Sequence, residues 1–245
     1  MSERRVALIT GGAKGIGRAI GLDLARRGWD VAICWRTSAT PGAATADELR
    51  DAGARVVAIA ADVSVFEQSE RLVREVEAQL GRIDALVNAA GPYHRAKLLD
   101  ETVDGWRSMF QSNLDPVFFT AKLAAPGMIA RRFGRIVSFS MAGADHVGAN
   151  TAVTAHYIAK MGVLALTRAL ARELAPHGIT ANCISPGFVD SGSAPPEELA
   201  GMAKKIPAGV VGKVEDAVAA ARYLLSDDAR YVTGANLVVS GGWGL

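Results

Sequence analysis

Eight residues near the start of the chain, Thr10-Gly11-Gly12-Ala13-Lys14-Gly15-Ile16-Gly17, have the types and spacing to hold an anion. An apolar run from Val6 to Ile9 precedes them, short enough for one buried strand. Arg18 to Arg27 follow, with Ile20, Leu22 and Leu24 set among polar and small residues. Strand, glycine-rich turn and helix in that order aim the unpaired N–H groups of a helix start at one point, where a pyrophosphate can sit. Glycines let the turn bend sharply and let a ligand approach the backbone closely. The motif predicts a dinucleotide site contacted by Gly11, Lys14, Gly15, Ile16 and Gly17. A plain tight turn between strand and helix is the alternative.

A second group bears on which dinucleotide. An acidic residue at the end of the second strand would hydrogen-bond the ribose hydroxyls and repel a 2′-phosphate. Trp35 stands at that position, Arg36 follows, and Thr37 and Ser38 add hydroxyls. Lys14 can reach the same phosphate. Two cations converging on one dianion favour NADP(H). As solvated surface charges, the same two residues would say nothing about the ligand.

These residues need a scaffold, and the chain supplies alternating strands and helices. Strands are predicted at Val6–Ile9, Asp30–Trp35, Arg55–Ala61, Ile83–Asn88, Gly134–Phe139, Ile179–Ile184 and Asn236–Val239. Helices are predicted after the glycine turn and over Pro41–Gly53, Ser64–Leu80 with Ser64 as cap, Ala155–Ala175 and Lys213–Leu225. Thr102–Arg132 reads as a long helical stretch interrupted near Asp115-Pro116. Near-continuous Val/Ile/Ala/Leu strands alternating with helices indicate an α/β fold, a doubly wound parallel sheet covered on both faces. No linker divides the chain, so one domain over 1–245 is expected. One irregular stretch, about 189–212, carries Gly192, Pro195, Pro196, Pro207 and Gly209 and a short helix near Glu197–Lys204. Its length suits a lid over substrate, with Phe188 and Met202 as apolar wall.

Ligands in such sheets bind beyond the carboxyl ends of the strands. Those ends read Thr10-Gly11-Gly12, Trp35-Arg36, Asp62-Val63, Asn88-Ala89-Ala90-Gly91, Ser138-Phe139-Ser140 and Ser185-Pro186-Gly187. Arg36, Asp62, Val63, Asn88, Ala89, Gly91, Pro186, Gly187 and Val189 therefore join the expected cofactor contacts. Asp62 is suited to accept from an adenine amine. Asn88 has a structural alternative, tying neighbouring strands together. Tyr93 and His94 follow the fourth strand and either line the cleft or serve as ordinary loop residues.

Composition excludes several classes. The 245 residues are half hydrophobic, and 27 basic against 25 acidic residues leave a net charge of only +2. No basic stretch with interleaved aromatics points to nucleic acid. Cys34 and Cys183 lie far apart in apolar runs, as two buried free thiols would, and neither has metal-ligand spacing. The first strand begins almost at once, which leaves no room for a signal peptide. No apolar run approaches the roughly 20 residues that span a bilayer. A cytoplasmic protein is expected.

Taken together, Thr10–Gly17, Asp62-Val63, Asn88–Gly91, Asn113, the Tyr157/Lys160 region, Pro186-Gly187 and the tail Tyr231-Val232-Thr233-Gly234…Ser240-Gly241-Gly242 resemble the short-chain dehydrogenase/reductase family. Within it the chain looks most like the 3-oxoacyl-[acyl-carrier-protein] reductase group. The resemblance implies a Rossmann sheet of about seven parallel strands, a homotetramer or homodimer, and a carbonyl or acyl thioester substrate, with a 3-oxoacyl thioester among the candidates. It also implies a catalytic set of Asn113, Ser140, Tyr157 and Lys160, the last two also touching the cofactor. Tyr would donate a proton as hydride arrives, and Lys would lower the phenol's pKa from its usual ~10.

The spacing departs from the family pattern at that centre. The family usually shows Tyr-x-x-x-Lys; here the letters are His156-Tyr157-Ile158-Ala159-Lys160. On a helix, i and i+4 lie about 40° apart and i and i+3 about 60° apart on the other side, so both spacings keep neighbours. Three readings stay open. The helix start adjusts and Tyr157 remains the acid; His156 takes its place; or the protein binds NADP(H) without efficient turnover. The serine segment, Gly134 to Gly143, is also one residue short. Counting back from Gly143 assigns Ser140, and counting forward from Gly134 assigns Met141.

Overall fold

The structure, a computed structural model, describes residues 4–191 and 196–244. In chain order the elements are β1 (Val6–Thr10), α1 (Gly15–Arg26), β2 (Asp30–Trp35), α2 (Ala39–Asp51), β3 (Val56–Ala60), α3 (Phe66–Leu80), β4 (Ala85–Asn88), α4 (Val103–Asn113), α5 (Asp115–Arg131), β5 (Gly134–Phe139), α6 (Thr154–Leu174), β6 (Ile179–Pro186), β7 (Val189–Asp190), α7 (Pro196–Ala203), β8 (Gly212–Lys213), α8 (Val214–Leu225) and β9 (Asn236–Val239). Seven strands form one parallel sheet in the order β3-β2-β1-β4-β5-β6-β9. The order reverses between β1 and β4, so a crevice opens above their carboxyl ends. The expected doubly wound Rossmann fold is observed.

Alternation along β1 shows why the strands read as unbroken apolar runs. Val6 and Leu8 face a core completed by Leu72 and Val76 of α3, Ala121 and Met128 of α5, and Leu174 of α6. Ala7 and Ile9 face the other side, against Ile20 and Leu24 of α1, Leu49 of α2 and Leu224 of α8. Successive strand side chains point to opposite faces, and both faces are buried.

The two rims of the sheet differ. At the amino ends, Asp30 accepts from the Arg55 backbone N–H at 2.9 Å and from its Nε at 2.8 Å, while Asp84 accepts from the Val6 N–H at 2.9 Å and Arg82 Nε at 2.9 Å. Both carboxylates are fully buried and paired. They serve the fold at the rim opposite the carboxyl ends.

Three local expectations need correction or extension. Ser64 does not cap α3. Its hydroxyl donates to Asp62 Oδ1 at 2.6 Å and its N–H to the same atom at 3.0 Å, and Val65 is the cap residue. A carboxylate two residues back outcompetes the helix N–H groups for that serine. The long helical stretch divides at Leu114, with Pro116 in the first turn of α5, where a missing N–H leaves no helical bond unmade. The irregular stretch after β6 contains a parallel pair, Val189↔Gly212 and Asp190↔Lys213, that closes it into a loop bearing α7. Gly192 and Pro195 lie outside the described residues.

Candidate active site

A cleft of about 740 Å³ lies above the switch point. It brings together Gly11, Lys14, Gly15, Ile16 and Gly17 from the turn, Arg36 from the end of β2, Asp62 and Val63 after β3, Ala89 and Gly91 after β4, and Pro186, Gly187 and Val189 after β6. Lys14 occupies the cap position of α1 without any side-chain cap bond. The first-turn N–H groups therefore have no side-chain acceptor of their own, as an anion site requires. A Cβ on Gly17 would lie 2.6 Å from the Gly11 carbonyl oxygen, so only glycine lets α1 start this close to the turn. A dinucleotide pyrophosphate fits this cradle.

The end of the cleft beside β2 carries the charges. Arg36 is exposed at the rim, its Nη1 3.8 Å from Asp62 Oδ2. Asp62 Oδ1 is already bonded by Ser64. The Trp35 indole packs onto α2, where a Cβ on Gly42 would come within 2.6 Å of it. The cationic side chain thus takes the rim, and no acid stands at the end of β2.

Asn88 is absent from the cleft. Its Oδ1 accepts from Thr120 Oγ1 at 2.8 Å and its Nδ2 donates to Ser138 Oγ at 3.4 Å. Its side chain ties β4 to β5 and α5, which is the structural alternative the sequence offers for it. His94 pairs with Glu101 at 3.3 Å. Pro92, Tyr93, Ser112 and Pro116 line the cleft. Of these, only Tyr93 was flagged by sequence; Ser112 and Pro116 flank the α4–α5 break, which is the signal that points to them. Phe188 meets Trp243 at a tilt of 55° with ring centroids 4.7 Å apart and borders a second cavity of about 440 Å³.

The register of α6 decides which of the expected catalytic side chains come together. The helix starts at Thr154 and buries Ala159, Lys160, Val163 and Leu164, which fixes its phase. His156 and Lys160, four residues apart, then share one row. Lys160 is buried and its Nζ donates to the Phe139 carbonyl at 2.9 Å. The position a Cβ on Gly91 would take lies 3.2 Å from that Nζ and 2.5 Å from Asn113 Oδ1. Asn113 donates through Nδ2 to the carbonyls of Pro92 at 3.2 Å and Met109 at 3.1 Å, and its buried Oδ1 has no partner. Lys160 and Asn113 therefore meet directly behind the cleft wall. Burial pushes the Lys160 amine down to about 8.

His156 stands beside them, only 7% exposed. Its ring meets Tyr93 edge-on at 5.2 Å, and its Nδ1 is buried without a partner. Burial, and then the Lys160 charge, push its pKa down to about 4; a bond to the Pro92 backbone acts in the opposite sense. The imidazole is neutral at neutral pH.

Tyr157 does not join them. Its hydroxyl donates to the His146 carbonyl, lies 3.3 Å from the Gly143 carbonyl and accepts from the Gly148 N–H at 3.2 Å. Its ring packs with Val117, Ala144 and Leu164. One residue along a helix is a turn of about 100°, which carries the phenol from the cleft to the 143–148 loop. Ser140 is likewise turned away, its buried Oγ donating to the Lys160 carbonyl at 2.8 Å. That bond pins the end of β5 to α6. Met141 is half-buried against the cluster that holds Tyr157. Both cysteines are free and buried. Among the described residues, no group of three or more His, Cys, Asp or Glu could hold a metal ion, and no helix is long and apolar enough to cross a membrane.

A parallel sheet of this order, with a glycine turn at its switch point and an anion cradle at the start of α1, defines a dinucleotide-binding α/β protein. Residues 11–244 match the family model described as Enoyl-(Acyl carrier protein) reductase. The chain is 36% identical to the 3-oxoacyl-[acyl-carrier-protein] reductase FabG of Staphylococcus aureus, over 99% of both chains. Its structure is similar to that of a blue fluorescent protein from a metagenomic library in complex with NADPH, with TM-score 0.91, 33% identity and 98% of both chains covered. It is similar also to acetoin dehydrogenase YohF from Salmonella typhimurium, with TM-score 0.89, 30% identity and 98% and 97% covered. The chain belongs to the short-chain dehydrogenase/reductase family, and its class of reaction is NAD(P)-dependent oxidoreduction.

Proposed function

We propose that the protein is an NADP(H)-dependent oxidoreductase that passes hydride between nicotinamide and a carbonyl/alcohol pair, with 3-oxoacyl thioesters as the leading substrate class. One observation carries the cofactor choice: Arg36 occupies the cleft rim at the end of β2, with Lys14 on the turn and no acid at position 35. A 2′-phosphate dianion is a stronger partner for the guanidinium than one carboxylate oxygen at 3.8 Å. The reductase from Staphylococcus aureus and the NADPH complex of the metagenomic protein support the substrate class and the nucleotide. When bound, the nucleotide supplies or accepts the hydride. Lys160 and Asn113 would hold its reactive end, Gly11 to Gly17 its pyrophosphate and Asp62-Val63 its adenine. In the same reading the chain is one cytoplasmic domain acting as a homotetramer or homodimer, and 189–212 form the substrate loop.

A second reading, nucleotide binding without turnover, draws on the Tyr157 and Ser140 hydroxyls, both bonded to backbone. NADPH oxidation by the purified protein with acetoacetyl-coenzyme A and a panel of ketones separates the two. Turnover supports the first; tight NADPH binding with no oxidation across the panel supports the second. Arg36→Ala is expected to weaken NADPH binding by about tenfold to thirtyfold, ~1.4–2 kcal/mol, and to leave NADH affinity unchanged. Equal losses for both nucleotides would place the guanidinium away from the 2′-phosphate.

A further inference from the structure

We infer that His156, and not the Tyr157 phenol, exchanges the substrate's hydroxyl proton, through its unpartnered Nδ1. The inference rests on the oxidoreductase reading above and names the group that reading leaves open.

A buried polar atom without a partner is unfavourable unless something in the working cycle pairs with it. Nδ1 of His156 is such an atom. It lies where the helix register brings its ring beside Lys160, behind the cleft wall formed by Pro92 and Tyr93. Tyr93, whose ring edge meets the imidazole, is itself 64% exposed. The inferred transfer requires that ring to move aside so that the imidazole meets the cleft. Neutral imidazole has one donor and one acceptor nitrogen. In alcohol oxidation, Nδ1 takes the hydroxyl proton, and the freed O–H electron pair forms the C=O bond. A bound nicotinamide nucleotide would accept the carbinol hydrogen with its electron pair. In carbonyl reduction the neutral imidazole first takes up a proton from solvent and passes it to oxygen as hydride reaches carbon, so each reduction consumes one solvent proton and is favoured as pH falls towards about 4. Atoms and electrons balance in both directions with the nucleotide as the only redox partner.

The two hydroxyls that the family pattern would assign to this step are engaged. The Tyr157 hydroxyl and the Ser140 hydroxyl are bonded to backbone carbonyls. Met141, the other candidate for the serine position, has no proton to offer.

The test has a kinetic and a spectroscopic arm. His156→Gln keeps polar contacts but cannot carry the proton. Its turnover is expected to fall by about 100-fold or more, with NADPH affinity retained. Tyr157→Phe is expected to keep turnover within about threefold while lowering the melting temperature. In the second arm, ¹⁵N spectra of the wild-type histidines are recorded with NADPH and the product alcohol 3-hydroxybutyryl-coenzyme A, a pair that cannot react. The four histidines are assigned by substituting His94, His146 and His177 in turn. The acceptor nitrogen of His156 is expected to move upfield as it gains a hydrogen bond. Full turnover in His156→Gln, loss of turnover in Tyr157→Phe, or an unmoved His156 resonance would overturn the inference. Absence of wild-type turnover with every carbonyl overturns the oxidoreductase reading and this inference together, whereas turnover surviving in His156→Gln overturns this inference alone.

Discussion

Gly17→Ala is expected to weaken NADPH binding by about 100-fold, ~2.7 kcal/mol, while the folded sheet persists. The added Cβ would lie 2.6 Å from the Gly11 carbonyl oxygen and 3.1 Å from its carbon. Both are backbone atoms, so no side chain can swing aside. Either α1 tilts or the turn opens, and each displaces the first-turn N–H groups that cradle the pyrophosphate. Gly201→Ala is the control. Nothing lies within 4 Å of a Cβ there, and the residue sits in α7, where alanine is the better helix former. Calorimetric titration should show weak binding for the first variant and wild-type affinity for the second. Equal affinity in all three proteins would remove the turn from the binding site.

Lys160→Met is expected to act in opposite directions on stability and turnover. Burial lowers the Lys160 amine from 10.5 to about 8. Below about pH 8 the folded protein holds an ammonium out of water, and the destabilisation is fully present. Between about 8 and 10.5 the unfolded chain binds more protons than the folded one, so stability rises with pH, by roughly 3 kcal/mol in all. Methionine has no charge to bury, but it forfeits the bond to the Phe139 carbonyl, about 1 kcal/mol. The variant should therefore melt a few degrees higher at pH 7, by about 1–2 kcal/mol, and its stability should lose the rise with pH across that window. Turnover should fall by about 100-fold or more, because the cation beside the reacting groups is gone. Scanning calorimetry at pH 7 and pH 10, with steady-state rates, checks both halves. A lower melting temperature at pH 7 would mean that the ammonium is not desolvated.

The glycine turn was legible because its signal is local. Thr10 to Gly17 carry strand end, turn and helix start within eight residues, and the strands on either side are buried on both faces. Arg36 and Lys14 were legible for the same reason, each lying at the end of an element whose boundary is sharp. The catalytic end was less legible because it depends on helix phase. His156-Tyr157 are adjacent letters, and which one faces the cleft turns on where α6 begins and which side Ala159, Val163 and Leu164 bury. No short window contains that information. Ser140 depends on distant contacts too: its direction follows from the bond to the Lys160 carbonyl, 20 residues along the chain. Asn88 ends β4, which places it at the rim, while Thr120 and Ser138 hold its side chain from elements distant in sequence. Ser64 lost its capping role to a closer partner, Asp62.

The central claim is that a phosphorylated nicotinamide nucleotide lies in the cleft above β1 and β4. Side-by-side calorimetric titration of the wild-type protein with NADPH and NADH tests it most directly. The account predicts one NADPH per chain, bound at least about tenfold more tightly than NADH, ~1.4 kcal/mol or more. NADH binding as tightly as NADPH, or no heat from either, would contradict it.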